Sequence, residues 1–315
     1  MFSTTGSNAT RDTSEWALHD EVRKRAVREP LTEYGNLSMS NRQEPTSSPG
    51  ASSRDVAGGS PDRFGYEWST YSTVLPESKR QLERWLGSTG LATFAGKRVL
   101  DVGCGMGRNP YWFLEAGARE LVAVDFDDGS LAAARRNLAP FAHARVEKCS
   151  VYELAPASLG LFDRVTCIGV LHHLADPSEA LRKMWACVAP GGDLVLWCYS
   201  REGNRLMLPF IQGLRAVGSR LPIGATHVLA KGVALGAWPA IRLLPWRTDY
   251  YGALKTLSFK NVEAIIFDQM LPRIANYWTR SEMESLTHSL PSGEVDLEFV
   301  QGNSWHACVR KKDAS

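Results

Sequence analysis

The chain has almost no surplus of either charge: 36 Lys and Arg stand against 34 Asp and Glu in 315 residues. A general nucleic-acid binder needs a marked basic excess, so that class is not expected. No apolar stretch reaches the roughly 18 residues of a transmembrane helix. The six cysteines, at 104, 149, 167, 187, 198 and 308, contain no Cys-x-x-Cys pair. Neither a metal site nor a disulfide framework is expected; buried reduced thiols are. The N-terminus lacks the basic-then-apolar order of a secretory signal, so a cytoplasmic protein is expected. What is not scarce is aromatic surface: ten Trp, eleven Phe and nine Tyr exclude disorder of the whole chain.

The aromatics are unevenly placed. From Leu31 to Asp62, 18 of 32 residues are Ser, Thr, Gly, Pro or Asn. That composition cannot offset its ordering entropy, so residues 1–62 read as a disordered tail, with a short charged helix feasible at Glu15 to Arg28. Beyond it, strand-like and helix-like segments alternate. A helix over Glu77 to Leu86 presents Leu82, Trp85 and Leu86 on one face. Strands follow at Arg98–Val102, Leu121–Val124, Arg145–Cys149, Phe162–Val170 and Asp193–Cys198, with helices between them. Of these helices one opens at Pro110, one is capped by Ser130, and one is capped by Asp176 and stops at Pro190-Gly-Gly192. Such alternation predicts an α/β fold with a mostly parallel, doubly wound sheet. Two last strands, Glu294–Val300 and Trp305–Arg310, flank a turn at Gln301–Ser304 and predict an antiparallel hairpin. The expected domains are a core over 63–200, a helical cap over 201–289 and a closing hairpin over 290–315.

The stretch Val99-Leu-Asp-Val-Gly-Cys-Gly-Met-Gly107 runs a strand into a loop with glycine at 103, 105 and 107. Glycines there allow a sharp turn and let a ligand approach without Cβ obstruction. The third glycine comes one residue earlier than in the dinucleotide fingerprint, which argues against a nicotinamide site. Asp125 closes the next strand, 22 residues after Gly103, where a carboxylate can accept both hydroxyls of a ribose.

Four segments in order carry a resemblance: Asp101 to Gly107, Val124-Asp125, Phe162 to Leu174 with its His172-His173 pair, and Leu181 to Leu196. Over residues 97–200 the chain resembles a class I S-adenosylmethionine (SAM)-dependent methyltransferase. Within that family it is most similar to the broad group that includes quinone-biosynthesis C-methyltransferases and natural-product and glycan-tailoring enzymes. The resemblance implies a seven-stranded Rossmann-like sheet with SAM as cofactor. It places Gly103, Cys104, Gly105 and Gly107 along the methionine part, with Asp101 near its amino group. Asp125 and Phe126 would meet the ribose, and Ile168 and Gly169 would lie beside the sulfonium. Many members have an acidic residue at the adenine position; here Ser150 stands there, followed by Val151.

His172 and His173 are the candidates for a general base; paired histidines after this strand also serve packing, and reach to an acceptor separates the two roles. The aromatic segment Phe64 to Tyr71 resembles a segment placed over the cofactor in some of these enzymes. Trp68 is expected to meet substrate and Tyr71 to take part in catalysis, against the alternative that both pack on the sheet edge. Asp268, Tyr277 and Trp278 precede a helix that the Thr279/Glu282 capping box predicts, and are acceptor-contact candidates. From Gly203 through Thr248 there is no Asp or Glu, but six Lys or Arg lie among apolar pieces. That region suits a lipid-like acceptor or a membrane surface, against the plainer reading of a solvated cap. The reading is a methyltransferase acting on a small-molecule or lipid-like acceptor, without nucleic acid; the alternative is a SAM-binding scaffold that has lost catalysis.

Overall fold

The computed structural model describes residues 60–243, 252, 254–256, 258–291 and 293–313. Residues 1–59 of the expected tail over 1–62, its charged helix, and residues 244–248 of the basic stretch lie outside the described residues. The first described helix, α1 (Pro61–Thr70), begins inside the segment assigned to the tail. Proline supplies the fixed φ of a first helical turn.

The central unit is one sheet of seven strands in the order β3-β2-β1-β4-β5-β7-β6. These are β1 (Arg98–Val102), β2 (Glu120–Asp125), β3 (Ala144–Lys148), β4 (Phe162–Ile168), β5 (Val188–Tyr199), β6 (Gly293–Val300) and β7 (Ser304–Lys311). The first five run parallel, and β7 pairs antiparallel with both β5 and β6. The predicted hairpin is therefore present, with β7 inserted between β5 and β6. Its turn contains Gln301 at φ 55° and Gly302 at φ 68°. β5 starts at Val188, earlier than expected, and runs through Pro190-Gly-Gly192; an irregular register between Phe162 and Arg164 absorbs the extra residues.

Helices α2 (Glu77–Trp85), α3 (Arg108–Glu115), α4 (Asp128–Leu138), α5 (Pro156–Leu159) and α6 (Pro177–Ala186) flank the parallel strands. Asp127, not Ser130, caps α4: its carboxylate accepts from the Ser130 amide at 2.7 Å. Ser130 is itself buried at 1% exposure, so its side chain sits inside the first turn rather than before it. Two apolar layers sandwich the sheet, one around Leu100, Val165, Leu181 and Leu196 and the other around Phe94, Phe113, Leu121 and Leu131. At the amino ends of β4 and β5, Arg164 donates to both Asp193 oxygens at 2.6 and 2.8 Å and to Thr93 at 2.6 Å.

After β5 come α7 (Arg201–Asn204), α8 (Leu208–Gly218), α9 (Ile223–Leu243), α10 (Phe259–Met270) and α11 (Arg280–His288). The predicted capping box opens α11. A small core of Ala230, Phe267, Met270 and Leu271 joins α9 and α10 to the aromatic face of α1. No helix among the described residues is long and apolar enough to cross a membrane. No cluster of His, Cys, Asp and Glu suited to a metal ion occurs among them either.

Candidate active site

Between β1 and β4 the chain reverses its winding direction, the switch point beside which open α/β sheets bind their ligands. Gly103, Gly105 and Gly107 have φ of 74°, 54° and 81°, a region that side-chain-bearing residues rarely adopt. The Gly103 and Cys104 amides donate to the Val124 carbonyl at 2.8 and 3.0 Å, which folds the turn over the end of β2. A Cβ on Gly103 would lie 2.5 Å from a Val170 methyl, and one on Gly105 would lie 3.1 Å from the Trp68 indole nitrogen. Gly107 differs: a Cβ there would meet Ala134 at 3.2 Å, so this glycine lets α3 approach α4.

Asp125 organises the turn. One carboxylate oxygen accepts from the Gly105 amide at 2.8 Å; the other accepts from Phe126 and Asp127 at 2.8 and 3.0 Å. Burial raises its pKa, and these three amides oppose that shift. Asp101 is 2% exposed and accepts from the Thr166 hydroxyl at 2.6 Å. Burial pushes its carboxyl up to about 7, Thr166 opposes, and the Asp125 charge adds to the rise. Ser150 is spent locally: its hydroxyl accepts from the Tyr152 amide at 3.2 Å, capping the turn that holds Val151. Gly169 follows β4 at φ 82°, its amide on the Trp197 carbonyl at 3.1 Å, beside buried Ile168.

His172 is fully buried, and neither ring nitrogen has a partner. Its ring lies 4.0 Å from that of Tyr199 and 4.2 Å from that of His173. Burial, followed by His173 and Arg215, holds it well below the usual histidine range, so the imidazole is neutral at pH 7. His173 is committed to the Ile274 carbonyl at 2.9 Å and packs on Phe64; burial lowers it to about 4. A buried imidazole with both nitrogens unspent is costly without a ligand to meet it.

Helix α1 lies against the glycine turn. Gly65 fits against the Asp127 carboxylate, where a Cβ would come within 2.2 Å, and Trp68 covers Gly105. The Arg108 guanidinium lies over the Trp68 and Trp85 rings, at 5.7 and 5.2 Å from their centroids. Glu67 is 4% exposed, with one carboxylate oxygen unpartnered. Burial and then Asp268 raise its pKa well above the carboxylate range, with Arg108 opposing. Asp268 rises to about 6 through burial, against Arg108 and Arg215. From the cap, Arg215 donates to the Gln269 side-chain oxygen and the Tyr277 hydroxyl at 3.2 Å each, and Gln269 donates to the Tyr199 hydroxyl at 2.9 Å. Tyr277 stacks on Tyr199 at 5.2 Å.

The fold thus brings Gly103, Gly105, Asp101, Asp125, Trp68, His172, His173, Asp268 and Tyr277 to one end of the sheet. Two candidates lie differently. The Tyr71 hydroxyl meets His227 at 3.5 Å, and His227 in turn meets Glu263 at 3.1 Å. Trp278 packs on the sheet core, because Tyr277 and Trp278 are successive residues of a bridge to Ser200 and point to opposite sides. Glu67, Arg108, Trp197, Tyr199, Arg215 and Gln269 were not singled out as site residues. Glu67 and Arg108 had a signal, sitting inside the aromatic segment and next to the third glycine.

A family model described as a methyltransferase domain matches residues 100–196. The chain is 32% identical over 151 residues to the ubiquinone biosynthesis O-methyltransferase of Pseudomonas aeruginosa, covering 47% of this chain and 64% of that protein. It is 36% identical over 125 residues to the tRNA U34 carboxymethyltransferase of Methylococcus capsulatus, covering 38% of each. The chain therefore spans less than two thirds of these curated relatives. Among solved structures, an O-methyltransferase family protein of Burkholderia thailandensis superposes with a TM-score of 0.51 at 11% identity, over 81% of this chain and 60% of that one. A DhpI complex with S-adenosylhomocysteine (SAH) gives 0.52 at 13% identity, over 84% and 100%. At these identities the structural likeness concerns the fold.

Proposed function

We propose that the protein is a class I SAM-dependent methyltransferase that transfers a methyl group from SAM to a small-molecule or lipid-like acceptor, a reading supported by the methyltransferase-domain match over residues 100–196. The observation that carries this reading is the glycine turn. Its three glycines hold positive φ at the strand end, and the Asp125 carboxylate is held across it.

The residues fit the cofactor. Gly103, Cys104 and Gly105 would lie along the methionine part, with Trp68 over Gly105, and Asp101 offers a carboxylate to its amino group. Asp125 keeps one lone pair, on Oδ2, for a ribose hydroxyl, with Phe126 beside it. Ser150 and Val151 would flank the adenine, and Ile168 and Gly169 the sulfonium. When bound, SAM supplies an electrophilic methyl on a good leaving group, so the chain needs no covalent role. Its task is to orient the acceptor and exclude water. Trp68, Trp197, Tyr199 and Tyr277 suit a flat or apolar acceptor, and Asp268 can hold a polar group on it. His172, neutral and with a free nitrogen lone pair, can accept a hydrogen bond from the acceptor and take its proton as the methyl arrives.

The relative named for tRNA matches over 38% of this chain, which does not extend its acceptor to this protein. Incubating the protein and methyl-labelled SAM with small-molecule and lipid extracts, followed by mass spectrometry, tests the reading. A labelled product is expected from the wild type. His172→Gln is expected to form it about ten- to a hundredfold more slowly, with SAH affinity within a few-fold. Absence of any labelled product across both extracts would contradict the proposal.

A further inference from the structure

Helices α8 and α9 have their polarity reversed relative to an ordinary surface helix. Their inner sides carry polar networks. Arg63 of α1 donates to the Gly218 and Leu221 carbonyls and to Thr226, at 2.7, 3.0 and 3.0 Å. Arg215 and His227 face inward to the partners described above. Their outer sides carry large apolar residues in water. Phe210 is 53% exposed, Val217 52%, Val228 72%, Leu235 68% and Leu243 83%, and Leu206, in the turn before α8, 89%. Only three other large apolar side chains among the described residues are comparably exposed, Leu75, Leu161 and Phe299, and they are scattered.

The outer face of α9 is continuous. Exposed positions recur every three or four residues, and besides Val228, Leu235 and Leu243 they are Gly, Ala, Pro and one lysine, Lys231. A patch of this kind marks a surface made to be covered. Its rim is basic: Arg205, Arg220 and Lys231 are exposed, and residues 203–243 contain no carboxylate. Lys231 alone has an acidic neighbour, Glu263 at 3.9 Å. A second copy on this face would set like charges together without a pairing group. An anionic bilayer accepts both components, since its acyl boundary takes the apolar stripe and its headgroups take the cations. α9 has 21 residues and lies along a surface rather than spanning one.

We propose that the outer face of α8 and α9 docks the protein on a bilayer rich in anionic phospholipid. On its inner side α8 carries Arg215, which meets Tyr277, so docking sets this helix between the bilayer and that residue. The inference concerns binding and does not depend on methyl transfer.

The test is co-sedimentation of the full-length chain with vesicles of phosphatidylcholine alone and of phosphatidylcholine mixed with phosphatidylglycerol. Binding to the mixed vesicles is expected, weakening as salt rises. Leu235→Asp and Val228→Asp are each expected to lower the partition coefficient about tenfold. Lys231→Glu is expected to lower it about fivefold, while Leu161→Asp, on the core, leaves it unchanged. All four positions are exposed, and unchanged melting and SAH affinity would show that the variants fold. The proposal is overturned if the wild type stays in solution with mixed vesicles at low salt. It is equally overturned if the face variants bind like wild type, or if sedimentation velocity shows a dimer that Leu235→Asp dissolves.

Discussion

The parallel half of the sheet and the helical cap solve different problems with different materials. In β1 to β5 the site is made mostly of backbone: positive-φ glycines, amides on Asp125, and strand ends set by register. In α1, α8, α9 and α10 it is made of side chains that meet across long stretches of chain. Arg63 reaches residues more than 150 positions away, and Arg215 meets Gln269 across 54. On the proposed function, the difference teaches that cofactor binding is written into local geometry here, whereas acceptor choice is written into tertiary contacts.

That division can be broken by separating fold from specificity. The largest expected effect lies far from the site. Arg164 and Asp193 form a buried bidentate pair, 5% and 10% exposed. Asp193→Ala leaves the guanidinium buried and uncompensated, and should cost about 3–5 kcal/mol, read as a lower urea midpoint. The cap provides the opposite case. Arg215→Met removes the bonds to Gln269 and Tyr277 while keeping the apolar stem. Once labelling has identified an acceptor, its KM should rise about tenfold with SAH affinity within twofold. Equal losses of both would erase the distinction between the two regions.

A second effect on stability sharpens the electrostatics of the core. Asp101 titrates near 7 when folded and about 3.9 when unfolded. Between those values the folded chain retains a proton that the unfolded chain has released. Stability therefore falls as pH rises through that window and levels off above it. Asp101→Asn removes this dependence. Without ligand, the wild type should lose roughly ten degrees of Tm relative to the variant between about pH 4 and pH 7, measurable by differential scanning calorimetry.

The same division governed what the sequence disclosed. The glycine turn, Asp125, the caps at Asp176 and Thr279 and the final hairpin were all legible, because each depends on residues close together in the chain. Helix α1 was not. Its Gly65 and Trp68 make sense only against Asp127 and Gly105, contacts that arise after the chain has folded. Tyr71 and Trp278 show the same limit. Aromatic type marked them as site candidates, but the direction of each side chain is fixed by His227 and by the bridge to Ser200. The outer face of α9 was legible only as basic and apolar, since which residues face outward depends on what α1 and α10 cover.

The central claim is that the turn after β1 and the carboxylate closing β2 hold a sulfur nucleoside. Titration calorimetry of SAH into the wild type and into Asp125→Ala, each verified as folded by thermal melting, tests it most directly. Saturable binding to the wild type and at least about a hundredfold loss in the variant are expected. Binding of equal strength to both proteins, or to neither, would contradict the account.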